Sequence, residues 1–547
     1  RAMSKGKIER TIKDFVRCAK LSKKAGYDGV EIMGSEGYLI HQFIANRTNF
    51  RDDEWGGEYE NRIRFPLEIV RRTREAVGDD FVIIFRLSML DLVEAGSTWD
   101  EVVHLAKRLE EAGVSIINTG IGWHEARIPT IGTMVPRASF TWVTEKLKSE
   151  VTVPLVTSNR INTPEKAEEA LASGHADMVS MARPFLADPF FVSKARNLRE
   201  DEINTCIACN QACLDHAFKN KVASCLVNPR ACHETELNYE PVDTPKNIAV
   251  VGAGPAGMAF ATEAGRRGHK VTLFDGADEI GGQFNMAKRI PGKEEFYETL
   301  RYYDRMLEIA DVDLRLGHRC TADELLAENY DEVILATGVH PREVNLPGAE
   351  HPSVLSYVDV LRHEAKVGER VAVIGAGGIG FDICEYIAHP HDAPAINIES
   401  YLKEWGIDPN NQARGGIEGI TPEIPKAARQ ITMMQRSAGK LGAGLGKTTG
   451  WIHRASLKNR NVRMMAELEY LKVDDAGLHV RNKRTDETEV LEVDTIITCA
   501  GQVPNRDLYQ SLLDGGAVVH LIGGADEASE LDAKRAIDQG SRLAARI

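Results

Sequence analysis

The sequence lacks any apolar run approaching the roughly 18 residues that a membrane-spanning helix needs. It also lacks a basic excess: 67 Lys and Arg stand against 81 Asp and Glu, a net charge of −14. The first absence argues against a helical membrane span, and the second makes nucleic acid or an anionic membrane an unsuited partner. Cysteines number nine, an odd count with four inside a stretch of 20 residues and the rest scattered, so a secreted disulfide framework is not expected. The opening stretch RAMSKGKIER carries no apolar signal segment, and a cytoplasmic enzyme is the expectation. What is present is ordinary for a globular enzyme, 43% hydrophobic and 27% charged residues. At 547 residues the chain is long enough for three or four domains.

From residue 1 to about 200, β-like runs alternate with amphipathic helical stretches. The strand candidates are Gly29–Met33, Phe81–Leu87, Ile116–Gly122, Pro154–Thr157 and Met178–Ala182. Helical stretches such as Ile8–Lys24, Arg62–Val77 and Trp99–Ala112 precede them. This alternation predicts a parallel sheet with right-handed crossovers, and the polar residues at the strand ends suit a (β/α)8 barrel. A closed barrel needs eight strands, so the five found here are read as strands 4–8 of a TIM barrel in an N-terminally truncated sequence.

Two glycine-rich turns organise the other half. The first, Gly252-x-Gly254-x-x-Gly257, follows the run Ile248–Val251 and includes Pro255 and Ala256. Asp275 lies 18 residues beyond Gly257, about where a carboxylate receives ribose hydroxyls, and Glu279–Phe284 adds a loop containing Gly282 and Gln283. The second turn is Gly375-x-Gly377-Gly378-x-Gly380. No carboxylate follows at the usual distance; a polar insertion covers about His389–Ala428, and the next strand ends at Arg436-Ser437, with Lys440 nearby. A basic residue there suits the 2′-phosphate of NADP over NAD, although Arg436 could also be a strand end on a solvated face.

Between the two halves the spacing is Cys206-x2-Cys209-x3-Cys213-x11-Cys225. Structural zinc favours two separated Cys-x2-Cys pairs, and this segment has one. A [4Fe–4S] cluster is the preferred reading, ahead of zinc or free thiols. The expected domains are a partial barrel at 1–200, a cysteine segment and linker at 201–245, a first dinucleotide-binding domain at 246–365 with 501–547, and a second, NADPH-type one at 366–500.

On the barrel face, Glu36 and Tyr38 follow one strand, and His124 with Arg127 follows another. A phenol there can donate a proton, although Tyr also serves as packing and a lone His at a strand end is more often not catalytic. The stretch Phe43–Phe65, dense in Arg, Asn and Asp, reads on composition alone as a solvated loop.

The run Gly56–Phe65, the FRLS strand and SMARPFLADP resemble the old yellow enzyme family of FMN barrels. The paired glycine turns, with Asp331–Pro341 and Asp494–Arg506, resemble the flavoprotein disulfide reductases. The whole, including MGSEGYLI and GIGWHEARIPTI, is similar to the 2,4-dienoyl-CoA reductase subgroup. That resemblance implies FMN contacts at Arg86, Asn159, Arg160, Ala182 and Arg183, a subset because the missing strands supply the others. It implies FAD on the first glycine turn with Gly524, Asp526 and Ala533, and NADPH on the second. Electrons would pass from NADPH by way of FAD and the cluster to FMN and a 2,4-dienoyl-CoA, as in breakdown of unsaturated fatty acids. Tyr38 would be the acid and His124 its assistant, with Glu36 and Arg127 nearby. An enoate reductase, an amine dehydrogenase or an electron-transfer fragment are the alternatives.

Overall fold

Five strands lie side by side in sequence order in the first part of the chain: β1 (Gly29–Gly34), β2 (Val82–Leu90), β3 (Ile116–Ile121), β4 (Leu155–Thr157) and β5 (Met178–Val179). The computed structural model describes residues 2–390, 397–529 and 532–547. Each neighbouring pair of strands is parallel, as helical crossovers require. β5 is only two residues long, because the chain after Ser180 leaves the ladder and enters the helix Arg183–Ala187. The crossover helices form for legible reasons. Trp99–Glu111 is closed at its start by a Thr98/Glu101 capping box, and it buries Val102, Leu105, Ala106 and Leu109, a single stripe at helical spacing.

The stretch Phe43–Phe65 is not a solvated loop. Asn49 is buried, and its amide donates to the carbonyls of Phe43 at 2.7 Å and Trp55 at 2.8 Å. Arg62 is buried as well, donating to Ile44 O at 2.8 Å and to Glu101 Oε1 at 2.6 Å. Composition misleads here because these polar side chains hold backbone carbonyls of their own loop and face away from water. Glu101 also accepts from Arg414 at 3.1 Å. Arg62→Ala removes one of two guanidinium partners from that part-buried carboxylate and leaves Ile44 O without its donor, so a loss of about 1–3 kcal/mol is expected, read as an earlier denaturant transition of this unit.

The chain divides into two compact units, Arg1–Ile131 with Val135–Ala182 and Ile396–Pro425, and Gly132–Met134 with Arg183–Ala395 and Lys426–Ile547. The polar insertion, expected within the NADPH-type domain at 366–500, therefore departs from it: its described part up to Pro425 packs with the sheet of β1–β5. Residues 391–396 of it lie outside the described residues. Its helix Ile398–Trp405 buries Tyr401, whose ring meets Phe140 edge-on at 6.2 Å and whose hydroxyl donates to Pro129 O. Leu92 N donates to Gly415 O at 2.8 Å, and Asn411 Nδ2 to Met89 O at 3.2 Å.

The second unit contains both glycine turns. In its first parallel sheet, Val519–Leu521 lies beside β9 (Glu332–Leu335), followed by β6 (Asn247–Val251), β7 (Lys270–Phe274) and β8 (Asp313–Arg315). Ile248, Ala249 and Val250 are fully buried, as a central strand covered on both faces demands. The second sheet orders Val354–Ser356, Thr495–Thr498, Arg370–Ile374, Gln430–Met434 and Arg463–Met465, again all parallel. An antiparallel meander, Leu468–Asp474 to Thr488–Leu491, was not foreseen. The two similar segments Asp331–Pro341 and Asp494–Arg506 meet, with Val339–Pro341 pairing antiparallel to Gln502–Pro504. Among the described residues, no helix is long and apolar enough to cross a membrane.

Candidate active site

Tyr38 follows β1 as the residue before the helix Leu39–Ile44, and His124 follows β3. Strands paired through β2 bring their ends together, so residues 86 positions apart in sequence meet. Tyr38 Oη lies 2.7 Å from His124 Nε2. Glu36 Oε2 is 3.8 Å from the same nitrogen, while Glu36 Oε1 accepts from Arg86 Nε at 3.0 Å. The backbone of Glu36 is left-handed, φ 61°, a conformation that costs a non-glycine residue about 1–2 kcal/mol. Burial, and then the charges of Glu36 and Glu125, raise Tyr38 above the ordinary phenol range, so it holds its proton at neutral pH. Arg127, three residues after His124, is exposed.

In the second unit, Cys206, Cys209, Cys213 and Cys225 line one cavity with Arg183, Asn210 and apolar side chains. Left-handed backbone at Ala208 (φ 53°) and Asn210 (φ 61°) turns the short loop back on itself. Arg183 Nη1 donates to Asn210 Oδ1 at 2.7 Å and so braces that turn. Burial, then the neighbouring Cys225, holds the Cys209 thiol well above its usual range; burial, then Cys206, pushes Cys225 to about 12. Four thiolates cannot share this cavity without a compensating positive group. Among the described residues, no three His, Cys, Asp or Glu side chains are placed to hold a single metal ion.

The glycine turns have matching geometry. A Cβ on Gly257 would lie 1.9 Å from Gly252 O, and one on Gly380 would lie 2.0 Å from Gly375 O. Only glycine lets each helix start so close to its strand, leaving the helix N-terminus open for a pyrophosphate.

Residues 1–202 match the family NADH:flavin oxidoreductase / NADH oxidase, and residues 246–519 match Pyridine nucleotide-disulphide oxidoreductase. A metal reductase of Desulforamulus reducens is 34% identical over 96% of this chain and 77% of that protein. The chain belongs to this family of fused flavin oxidoreductases. A cinnamate reductase of Clostridium sporogenes is 28% identical over 97% of this chain and 76% of that protein. The structure of a 2-naphthoyl-CoA reductase with 2-naphthoyl-CoA superimposes with a TM-score of 0.90 at 29% identity, covering 100% of this chain and 77% of that one.

Within this flavin oxidoreductase, an old yellow enzyme-type FMN domain is joined to a domain for FAD and NAD(P). Asp275 sits after β7, where its two oxygens accept from Ala253 N at 2.7 Å and Ala277 N at 2.8 Å. Gly282 abuts Gly254, and Gly281 N donates to Ala253 O at 2.8 Å, which puts Gln283 beside the first turn. Gly524 packs on Gly338; Asp526 accepts from Gln539 at 2.8 Å; Ala533 opens the last helix. Residues 530 and 531 of that expected motif lie outside the described residues. Arg436, Ser437 and Lys440 are exposed after the strand Gln430–Met434, and Gly377 and Gly378 have open space around them.

Two of the positions expected to touch FMN are tied to groups of the protein. Arg160 is buried with Nε donating to Val135 O at 2.8 Å, next to Asn159, and both are left-handed. Arg183 belongs to the second unit and faces the cysteine cavity, while Ala182 closes the first. Sequence reasoning missed His41 and Asp91. Both are 1–2% exposed, and their Nε2 and Oδ1 lie 3.1 Å apart. A His and an Asp in otherwise apolar runs, YLIHQFI and LSMLDLV, were the available signal.

Proposed function

We propose that this flavin oxidoreductase reduces a carbon–carbon double bond conjugated to a thioester carbonyl, with 2,4-dienoyl-CoA as substrate and NADPH as donor. The observation that carries this reading is the Tyr38 hydroxyl 2.7 Å from His124 Nε2 at the strand ends. Two relatives support it by their names, one reducing cinnamate and one holding 2-naphthoyl-CoA. Four cysteines lining one cavity, with a single Cys-x2-Cys pair among them, fit a [4Fe–4S] core better than tetrahedral zinc. When bound, the flavins and the cluster supply the hydride and single-electron transfers between nicotinamide and olefin.

The residues of the chain supply the proton. Once the far carbon of the diene has gained hydride, the thioester carries an extended enolate, and protonation at C4 leaves a 2-enoyl product. Tyr38 holds a phenolic proton at that face. His124 Nε2, bearing its own hydrogen, receives the phenolate that remains, and solvent restores the proton. Arg86 donates to Glu36 and keeps its carboxylate beside His124. Arg436, at the end of its strand, would take the 2′-phosphate of NADPH.

Initial rates with 2,4-dienoyl-CoA, a 2-enoate and a methylated amine test the substrate. The dienoyl thioester should lead by tenfold or more, roughly the discrimination one conjugated contact set provides; a faster amine would overturn the reading. Arg436→Ala should raise KM for NADPH about tenfold and leave KM for NADH unchanged, the loss of one exposed charged phosphate contact. Equal changes in both would remove the NADPH preference.

A further inference from the structure

Beneath the Tyr38–His124 pair lies a buried polar unit that the proposed mechanism leaves unused. His41 Nδ1 accepts the backbone N–H of Gly37 at 3.1 Å, and Gly37 immediately precedes Tyr38. Its other nitrogen, Nε2, approaches Asp91 Oδ1 at 3.1 Å. Since Nδ1 is an acceptor, a neutral ring carries its hydrogen on Nε2, the nitrogen 3.1 Å from the carboxylate. Asp91 is fully engaged otherwise: Ser88 Oγ donates to Oδ1 at 2.5 Å and Ser97 N to Oδ2 at 2.6 Å.

The same two residues reach the second member of the pair. Trp123 N donates to Asp91 O at 3.1 Å, and the His41 and Trp123 rings lie 4.7 Å apart. Trp123 immediately precedes His124. Gly37 is held at φ 81° with Trp123 so close that a Cβ would come within 2.7 Å of its ring. One His–Asp pair thus fixes the backbone just before both the acid and its assistant. The loop bearing Asp91 is itself gripped by the insertion, through Leu92 N to Gly415 O at 2.8 Å and Gly415 N to Ser97 O at 2.8 Å.

We infer that Asp91 and His41 are positioning residues that set the Tyr38–His124 geometry by locking the His41 tautomer. The inference rests on the proton-donor reading of Tyr38. Asp91→Asn keeps the side-chain shape and turns an N–H toward either His41 or the Ser97 amide. The ring then loses its reason to keep Nδ1 bare, and the Gly37 contact is lost.

The test is a double-mutant cycle on holoenzyme with 2,4-dienoyl-CoA. Asp91→Asn alone should lower kcat on the order of 10- to 100-fold, with KM for NADPH and NADPH-driven dye reduction unchanged. In a Tyr38→Phe background it should lower kcat no further, because the residue it positions is already gone. A multiplicative loss in the double variant, or no loss in the single one, overturns the positioning role. If Tyr38→Phe alone leaves dienoyl reduction intact, the proton-donor reading falls first, and the positioning role falls with it. Should Asp91→Asn not accumulate as folded protein, His41→Gln, which retains one donor and one acceptor, carries the same cycle and is expected to lose less than His41→Leu. Equal losses for Gln and Leu overturn the tautomer argument.

Discussion

Tyr38→Phe is expected to lower kcat for 2,4-dienoyl-CoA reduction by on the order of 10²- to 10⁴-fold, the range that a positioned general acid supplies. The ring and its packing stay, and only the hydroxyl facing His124 Nε2 at 2.7 Å is removed. NADPH-driven reduction of an artificial dye should keep its parent rate, because no part of the second unit is touched. Stopped-flow comparison of the two activities separates the outcomes: equal loss of both takes the acid role from Tyr38. The parent enzyme also has an expected pH dependence. Burial and two nearby carboxylates raise the phenol's pKa, so the proton donor is present through neutral pH. It is lost only on the alkaline side, beyond the ordinary phenol value near 10. An alkaline limb that persists unchanged in Tyr38→Phe would show that another group produces it.

Cys225→Ser is the second large effect. Cys225 is the one member of the set outside the short loop, and it lines the same cavity as Cys206, Cys209 and Cys213. Serine preserves volume and removes the thiolate that soft iron requires. Anaerobically prepared variant should contain less than about half the parent's iron and acid-labile sulfide, with dienoyl reduction lost and dye reduction retained, because a cubane normally needs four thiolates. Zinc in place of iron in the parent protein, or no metal in either, would end the cluster assignment. The thiols themselves give the physical reason for expecting a large effect. Cys209 and Cys225 resist ionising alone, so the site gains its charge only with its metal group, and losing one ligand weakens the whole set.

Much of the architecture was readable because its signals are local. Many parallel strands are short apolar runs followed by a helix, as Leu155–Thr157 precedes the Thr163-capped helix Pro164–Ala172, and the glycine turns carry their steric reason within six residues, as Gly252 and Gly257 show. Local signals also misled. Phe43–Phe65 counts as polar, yet Asn49 and Arg62 spend their hydrogen bonds on buried carbonyls, a fact that composition does not carry.

The identity of the two nucleotide turns, the cysteine spacing and the residue types at the strand ends follow from the order of amino acids alone, since each depends on neighbours within about twenty positions. That Tyr38 meets His124, that residues 397–425 return to pack on the first unit, and that His41 and Asp91 share a buried contact were decided only by tertiary structure. These pairings join residues separated by dozens to hundreds of positions, and their energy comes from burial and hydrogen-bond satisfaction that exist only once the sheets are assembled.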